Sequence, residues 1–165
     1  HYHRGENIVG FVLRLEHGHT IADLLVKKYN VPEESVAFVN GELITDTRHG
    51  MITSFKDGDI KVLLGTVLSE GLNFLADVGM NISGGKSENQ VVQRTGRVLR
   101  KPRCPVLNDV DTSKQREVLF YDFQDNGHPI FKKHSNRRIK VYLKEGHPLK
   151  TVDIEEALCD QIENS

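Results

Sequence analysis

The stretch Ser35 to Leu64, SVAFVNGELITDTRHGMITSFKDGDIKVLL, holds the pattern that decides the fold. Ser35–Val39 is a short β-branched and aromatic run that reads as a strand, closed by the turn pair Asn40-Gly41. Thr45–Lys56 reads as a helix, with Ile44, Met51, Ile52 and Phe55 along one stripe and Asp57-Gly58-Asp59 as its stop. Ile60–Leu64 is apolar again and has the length of a strand buried on both faces. Strand, helix and strand at this spacing form a crossover unit, which sets the two strands parallel and lays the helix against the sheet.

The alternation continues outward in both directions. Towards the N-terminus, Ile8-Val9-Gly10-Phe11-Val12-Leu13 reads as a strand. Thr20–Tyr29 follows as a helix with Ile21, Leu24, Leu25 and Lys28 at helical spacing, and Asn30 and Pro32 mark its end. Towards the C-terminus, Leu75–Ile82 is a weaker strand and Ser83-Gly84-Gly85 a loop. Ser87–Leu99 is a helix whose free amides Ser87 is suited to cap. Pro102–Lys114 has the composition of an exposed loop, Glu117–Phe123 reads as another strand, Ile130–Lys144 as a basic helix and Ile154–Ile162 as a short acidic one. The expectation is an α/β three-layer sandwich, a mainly parallel sheet flanked by helices, with residues 1–150 as one domain and 151–165 as a C-terminal tail. In such sheets ligands bind at the carboxyl ends of the strands.

Composition narrows the function classes. At 165 residues, 38% hydrophobic and 27% charged, the chain has the make-up of one soluble globular domain. Twenty-two basic residues against 23 acidic ones give a net charge of −1, which excludes nucleic-acid binding by global charge. Charge is nonetheless uneven: Arg94–Arg103 and Lys132–Lys144 are basic and Asp153–Glu163 is acidic. No apolar run approaches the roughly 18 residues of a membrane span, and the first residues lack the layout of a secretory signal. Cys104 and Cys159 stand far apart, so the expectation is an intracellular setting, without disulfide or structural zinc. The histidines, including His17, His19, His128 and His134, show no metal-binding spacing. Asp122 and Asp125 could pair as in a nuclease, but Asp125 with Asn126-Gly127 needs only turn chemistry.

The segment richest in chemistry is Gln93-Arg94-Thr95-Gly96-Arg97-Val98-Leu99-Arg100. Arg94, Arg97 and Arg100 are three apart and share a helical face, and Gly96 leaves room for a close backbone. Such a row suits a polyphosphate, because each guanidinium offers planar, permanently charged donors. A solvated basic face, or a row along a nucleic-acid backbone, fits the same spacing. Ser135–Lys144, with Arg137, Arg138 and Lys140, reads equally as a further nucleic-acid surface or a solvated helix.

This segment resembles the sixth motif, QRxGRxxR, of superfamily 2 helicases. The resemblance continues upstream in order: Ile8–Leu13 resembles the fourth motif, and Thr66 through Gly71-Leu72-Asn73 the fifth. Between them Asn40-Gly41, Arg48, Phe55, Gly58 and Val62-Leu63-Leu64 resemble the stretch that joins those motifs. The segment from Ser83 to the ending GRVLR is similar to XPB-type and phage UvsW-type repair helicases.

The resemblance implies the C-terminal RecA-like domain of an ATP-dependent DNA helicase or translocase, with RNA left open as the track. It implies ATP with Mg2+ as cofactor, held mainly by an N-terminal RecA-like domain as partner. Arg97 and Arg100 would reach the γ-phosphate, and Gln93 would position phosphate or water. Gly71, Asn73 and Arg94 would lie near the nucleotide. Thr66, Arg48 and Arg14 would contact the nucleic-acid backbone. For the arginines to act so, the groups of Arg97 and Arg100 must project together from the ligand-bearing edge of the sheet.

Gly84-Gly85-Lys86-Ser87 before a helix invites a P-loop reading. That pattern needs a glycine at position 80, where Met80 stands, so a turn capping the helix is favoured. The chain alone is therefore not expected to hydrolyse ATP. A nonenzymatic nucleic-acid-binding module and a kinase-like enzyme using Lys86 are the rival classes.

Overall fold

The computed structural model describes residues 1–66, 68, 76–85, 87–98 and 118–153. Within these, β1 (Ile8–Phe11), β2 (Val36–Val39), β3 (Val62–Gly65), β4 (Val78–Asn81) and β5 (Leu119–Asp122) form one sheet in the order β2-β3-β1-β4-β5. Every pairing is parallel, and Ile8 stands between Val62 and Val78. Four α-helices accompany the sheet among the described residues: α1 (Leu15–Lys27), α2 (Thr45–Asp57), α3 (Glu88–Val98) and α4 (Pro129–Lys144). The expected α/β class is what the chain adopts.

Successive side chains of a strand point to opposite faces, and that alternation sorts the core into two layers. Ile8, Val62, Leu64 and Val78 pack on one face against Ile21, Ala22 and Leu25 of α1. Val9, Phe11, Val39 and Leu63 pack on the other against Ile52 and Phe55 of α2 and Val98 of α3. β1 and β3 are buried on both faces, which is why both read as unbroken apolar runs. Beyond α3, Val141 and Tyr142 of α4 pack with Val91 and Phe120. The left-handed backbone of Gly58, φ 89°, ends α2, and Gly58 N–H donates to Phe55.

Two elements differ from the sequence reading. α1 begins at Leu15 rather than Thr20, and its buried stripe runs through Gly18, Ile21, Ala22 and Leu25 while Leu24 is exposed. Glycine is a poor helix former, so the first turns carry no sequence signal for a helix. Packing explains the residue: a Cβ at Gly18 would stand 2.3 Å from the Phe38 ring, so α1 rests directly on β2. Glu117–Phe123 reads as an apolar strand, and β5 falls within it. It is an edge strand, and Leu119 and Tyr121 face outward while Phe120 alone of its apolar side chains turns to the core. The expected loop Pro102–Lys114 and helix Ile154–Ile162 lie outside the described residues.

Candidate functional site

Because all the strands are parallel, their carboxyl ends share one rim. β1 leads through Arg14 into α1 and β4 leads through Ser83–Gly85 into α3, and these neighbours sit where strand order reverses. Open α/β sheets leave a crevice at that reversal. Here it is a cavity of about 620 Å³ between Leu13, Arg14 and His17 on one side and Ser83, Gly84 and Gly85 on the other, with Phe131 and His134 of α4 completing the wall.

The arginine row divides at this rim. Arg94 is 7% exposed and turned inward. Its guanidinium donates to Asn81 Oδ1 at 2.8 Å and to the Ser83 hydroxyl, and it lies 5.7 Å from the centre of the Phe11 ring. Burial holds its pKa below the usual arginine range, partly opposed by the nearby Tyr142 and Asp122. The resemblance implies a place near the nucleotide for Arg94. The structure places it as an internal brace joining the end of β4 to α3, within the buried row Val91, Arg94, Thr95 and Val98. A buried guanidinium is tolerable only where acceptors and an aromatic face replace water.

Arg97, one turn on, is half-buried, and Gln93 is exposed. The last turn of α3 stands over the middle of β4, where Val98 meets Gly79. A Cβ at Gly96 meets no described atom within 4 Å, so no described backbone uses the space it leaves. Thr66 follows β3 directly and its N–H donates to Val39 at 3.1 Å. Arg14 is exposed at the start of α1, and half-buried Arg48 donates to the Leu43 carbonyl at 3.3 Å. Gly71, Asn73 and Arg100 lie outside the described residues, as does Lys86 of the P-loop decoy.

One correction concerns Arg138, expected on an exposed basic surface. It is 2% exposed. Its Nε donates to Asp122 Oδ2 at 2.7 Å, one terminal nitrogen donates to the carbonyls of Gly84 and Gly85 at 2.8 and 3.0 Å, and the other donates to Phe123 at 3.0 Å. Adjacent helix residues point about 100° apart, so Arg137 and Arg138 cannot both face water. This one guanidinium ties β5 and α4 to the loop that launches α3. The loop fits a capping turn rather than a phosphate cradle: its carbonyls face Arg138, Gly84 is left-handed at φ 60°, and Ser87 Oγ accepts from Gln90 at 3.4 Å.

Asp122 Oδ2 also accepts from the Tyr142 hydroxyl at 2.6 Å. The carboxylate is thus engaged within the fold, and Asp125 makes the expected turn by accepting from Gly127 N–H at 2.9 Å. Among the described residues no group of three or more His, Cys, Asp or Glu is placed to hold a metal ion. No described helix is long and apolar enough to cross a membrane.

Burial raises the Tyr142 phenol well above its ordinary value of 10.0, and the charge of Asp122 and its hydrogen bond act in the same direction. A group raised in the folded state gives stability that is complete below its unfolded pKa and lost as pH climbs through the folded one. Unfolding free energy is therefore expected to fall as pH rises beyond about 10. Urea titrations of Tyr142→Phe against the parent check this: the variant's profile flattens above that pH, and identical slopes reject the assignment.

Residues 1–102 match the family model described as helicase conserved C-terminal domain. No curated protein sequence matches the chain. Among solved structures, the chain is similar to the E. coli DEAD-box protein SrmB bound to regulator of ribonuclease activity A, at 18% identity and TM-score 0.62, covering 92% of this chain and 76% of that one. It is similar to S. cerevisiae Dbp5 bound to RNA and ADP BeF3, at 20% identity and TM-score 0.61, covering 88% and 34%. The DUF1998 helicase MrfA bound to DNA and AMPPNP gives 16% identity and TM-score 0.63, covering 84% and 18%. At such identities these neighbours share the fold, and the family rests on the match to most of the chain. With its parallel sheet, its motif order and that match, the chain belongs to the helicase conserved C-terminal domain family and carries its RecA-like fold.

Proposed function

We infer that the chain is the second motor lobe of an ATP-driven translocase acting on DNA, of the XPB-like and UvsW-like kind. The observation that carries this reading is the family match over residues 1–102, which spans every motif of the resemblance from Ile8–Leu13 to Arg100. Residues 1–150 form the lobe and 151–165 its tail. A first RecA-like lobe holds ATP with Mg2+, and this lobe closes against it.

In that closed state Arg97 and Arg100 neutralise charge spread over the transferred phosphoryl oxygens, and Gln93 orients phosphate or water. Gly71 and Asn73 line the nucleotide side, while Thr66, Arg48 and Arg14 hold the sugar-phosphate backbone. Arg94 supports α3 from within. Alternation between closed and open states changes the grip on the strand. Both DNA and RNA occur in structures of neighbours, and the XPB-like ending GRVLR favours DNA.

The test is ATP turnover by the protein that joins this chain to its first lobe, measured with duplex DNA, single-stranded DNA and RNA. DNA is expected to stimulate turnover most. Stimulation by RNA alone would overturn the choice of DNA. No turnover under any condition would favour a nonenzymatic nucleic-acid-binding module.

A further inference from the structure

The exposed face of α4 bears Lys132, Lys133, Asn136, Arg137 and Lys140, which together with Pro129 line a shallow groove of about 430 Å³. Their spacing forms two rows, Lys132-Asn136-Lys140 and Lys133-Arg137, each stepping about 6 Å along the helix. No acidic residue lines the groove, and none of the four cations has a carboxylate partner among the described residues. In a chain of net charge −1 this is a local concentration, not a reflection of general basicity. Arg138, the basic neighbour in the middle of the row, is turned inward and anchors the helix, so the face is held rigidly.

We propose that this face binds the phosphodiester backbone of DNA as an extension of the track along the sheet rim. His134 of the same helix walls the rim cavity beside Arg14, and Arg137 stands one helical turn from it, so one border of the groove faces the edge where the strand is proposed to run. Lysine ammonium groups and an arginine fork, without an acid or an aromatic ring among the groove residues, suit phosphate contacts that carry no base specificity. The assignment deepens the proposed function and rests on it for the identity of the anion as DNA.

Fluorescence anisotropy of this chain with a labelled 20-mer, as duplex and as single strand, tests the proposal over a salt series. Neutralising the groove (Lys132→Gln, Lys133→Gln, Arg137→Gln and Lys140→Gln together) is expected to weaken binding roughly tenfold or more near 0.1 M salt. It is also expected to reduce the slope of log K against log salt by about 3, since each phosphate contact contributes about 0.7–0.9. These side chains are exposed, so the variant should melt with the parent. A parent chain that binds no DNA, or a variant with unchanged affinity and slope, overturns the proposal. If the groove variant binds normally while Arg14→Ala loses binding, the groove assignment fails and the rim survives. Equal retention of a polyglutamate probe or of phosphatidylserine vesicles would overturn DNA as the occupant. ATP turnover of the two-lobe protein tests the motor reading separately.

Discussion

Replacing Arg97 by Ala in the two-lobe protein is expected to lower ATP turnover by roughly 10³–10⁵-fold while nucleotide binding largely survives. On the proposed function, the developing charge lies on the equatorial oxygens of the transferred group, and a guanidinium supplied from the second lobe meets it only after the lobes close. A loss of that size is about 4–7 kcal/mol of transition-state stabilisation, more than any exposed ion pair supplies. Arg97→Lys is expected to recover little, because an ammonium lacks the planar fork that engages two oxygens. Single-turnover assays at saturating ATP, with nucleotide binding measured alongside, read the effect. Thermal melts must match the parent, which the half-buried position of Arg97 allows. If Arg97→Ala and Arg100→Ala both turn over ATP at the parent rate, the arginine-finger role is lost.

Arg138→Met is expected to be the most damaging single change to the fold. The Arg138 and Asp122 side chains are 3% and 14% exposed, and removing one partner strands the other charge in a poorly hydrated place. Such losses cost about 3–5 kcal/mol, which for a chain of this size lowers the melting temperature by roughly 10 °C. The cost is raised because the carbonyls of Gly84, Gly85 and Phe123 lose their donor at the same time. The double change Arg138→Met with Asp122→Leu is expected to be less destabilising than the sum of the singles, since no lone charge remains. Calorimetric melts of the three variants decide it, and a single variant melting within about 2 °C of the parent would show that the ion pair contributes little.

The fold was legible because β1 and β3 lie in the middle of the sheet, where burial on both faces leaves apolar runs such as Ile8–Val12. The edge strand β5 was legible as a strand but not as an edge, because Leu119, Tyr121 and Phe123 are apolar yet exposed. The first turns of α1 were hidden by Gly18, whose reason is the ring of Phe38 and lies in tertiary packing alone.

At the site, motif spacing identified α3 but could not separate its arginines. An i, i+3 row looks the same whether it faces water or the interior, and only Asn81, Ser83 and Phe11 decide that Arg94 turns in. Arg138 was misplaced for the same reason. A signal existed: Asp122 closes β5, and Tyr142 stands one helical turn after Arg138, a carboxylate and a phenol that together suit a buried guanidinium.

The sheet order has a consequence for how the chain comes to be folded. Of the five strands β1 is made first, yet it occupies the middle of the sheet, and Ile8 completes its hydrogen bonding only with Val62 on one side and Val78 on the other. A nascent chain emerging at about 5–20 residues per second therefore carries an unpaired apolar central strand for several seconds. Long-range pairing of this kind slows folding, because closure entropy is paid before any contact rewards it. During that interval Ile8–Phe11 is an apolar segment without its sheet partners, of the kind that aggregates when it meets another chain.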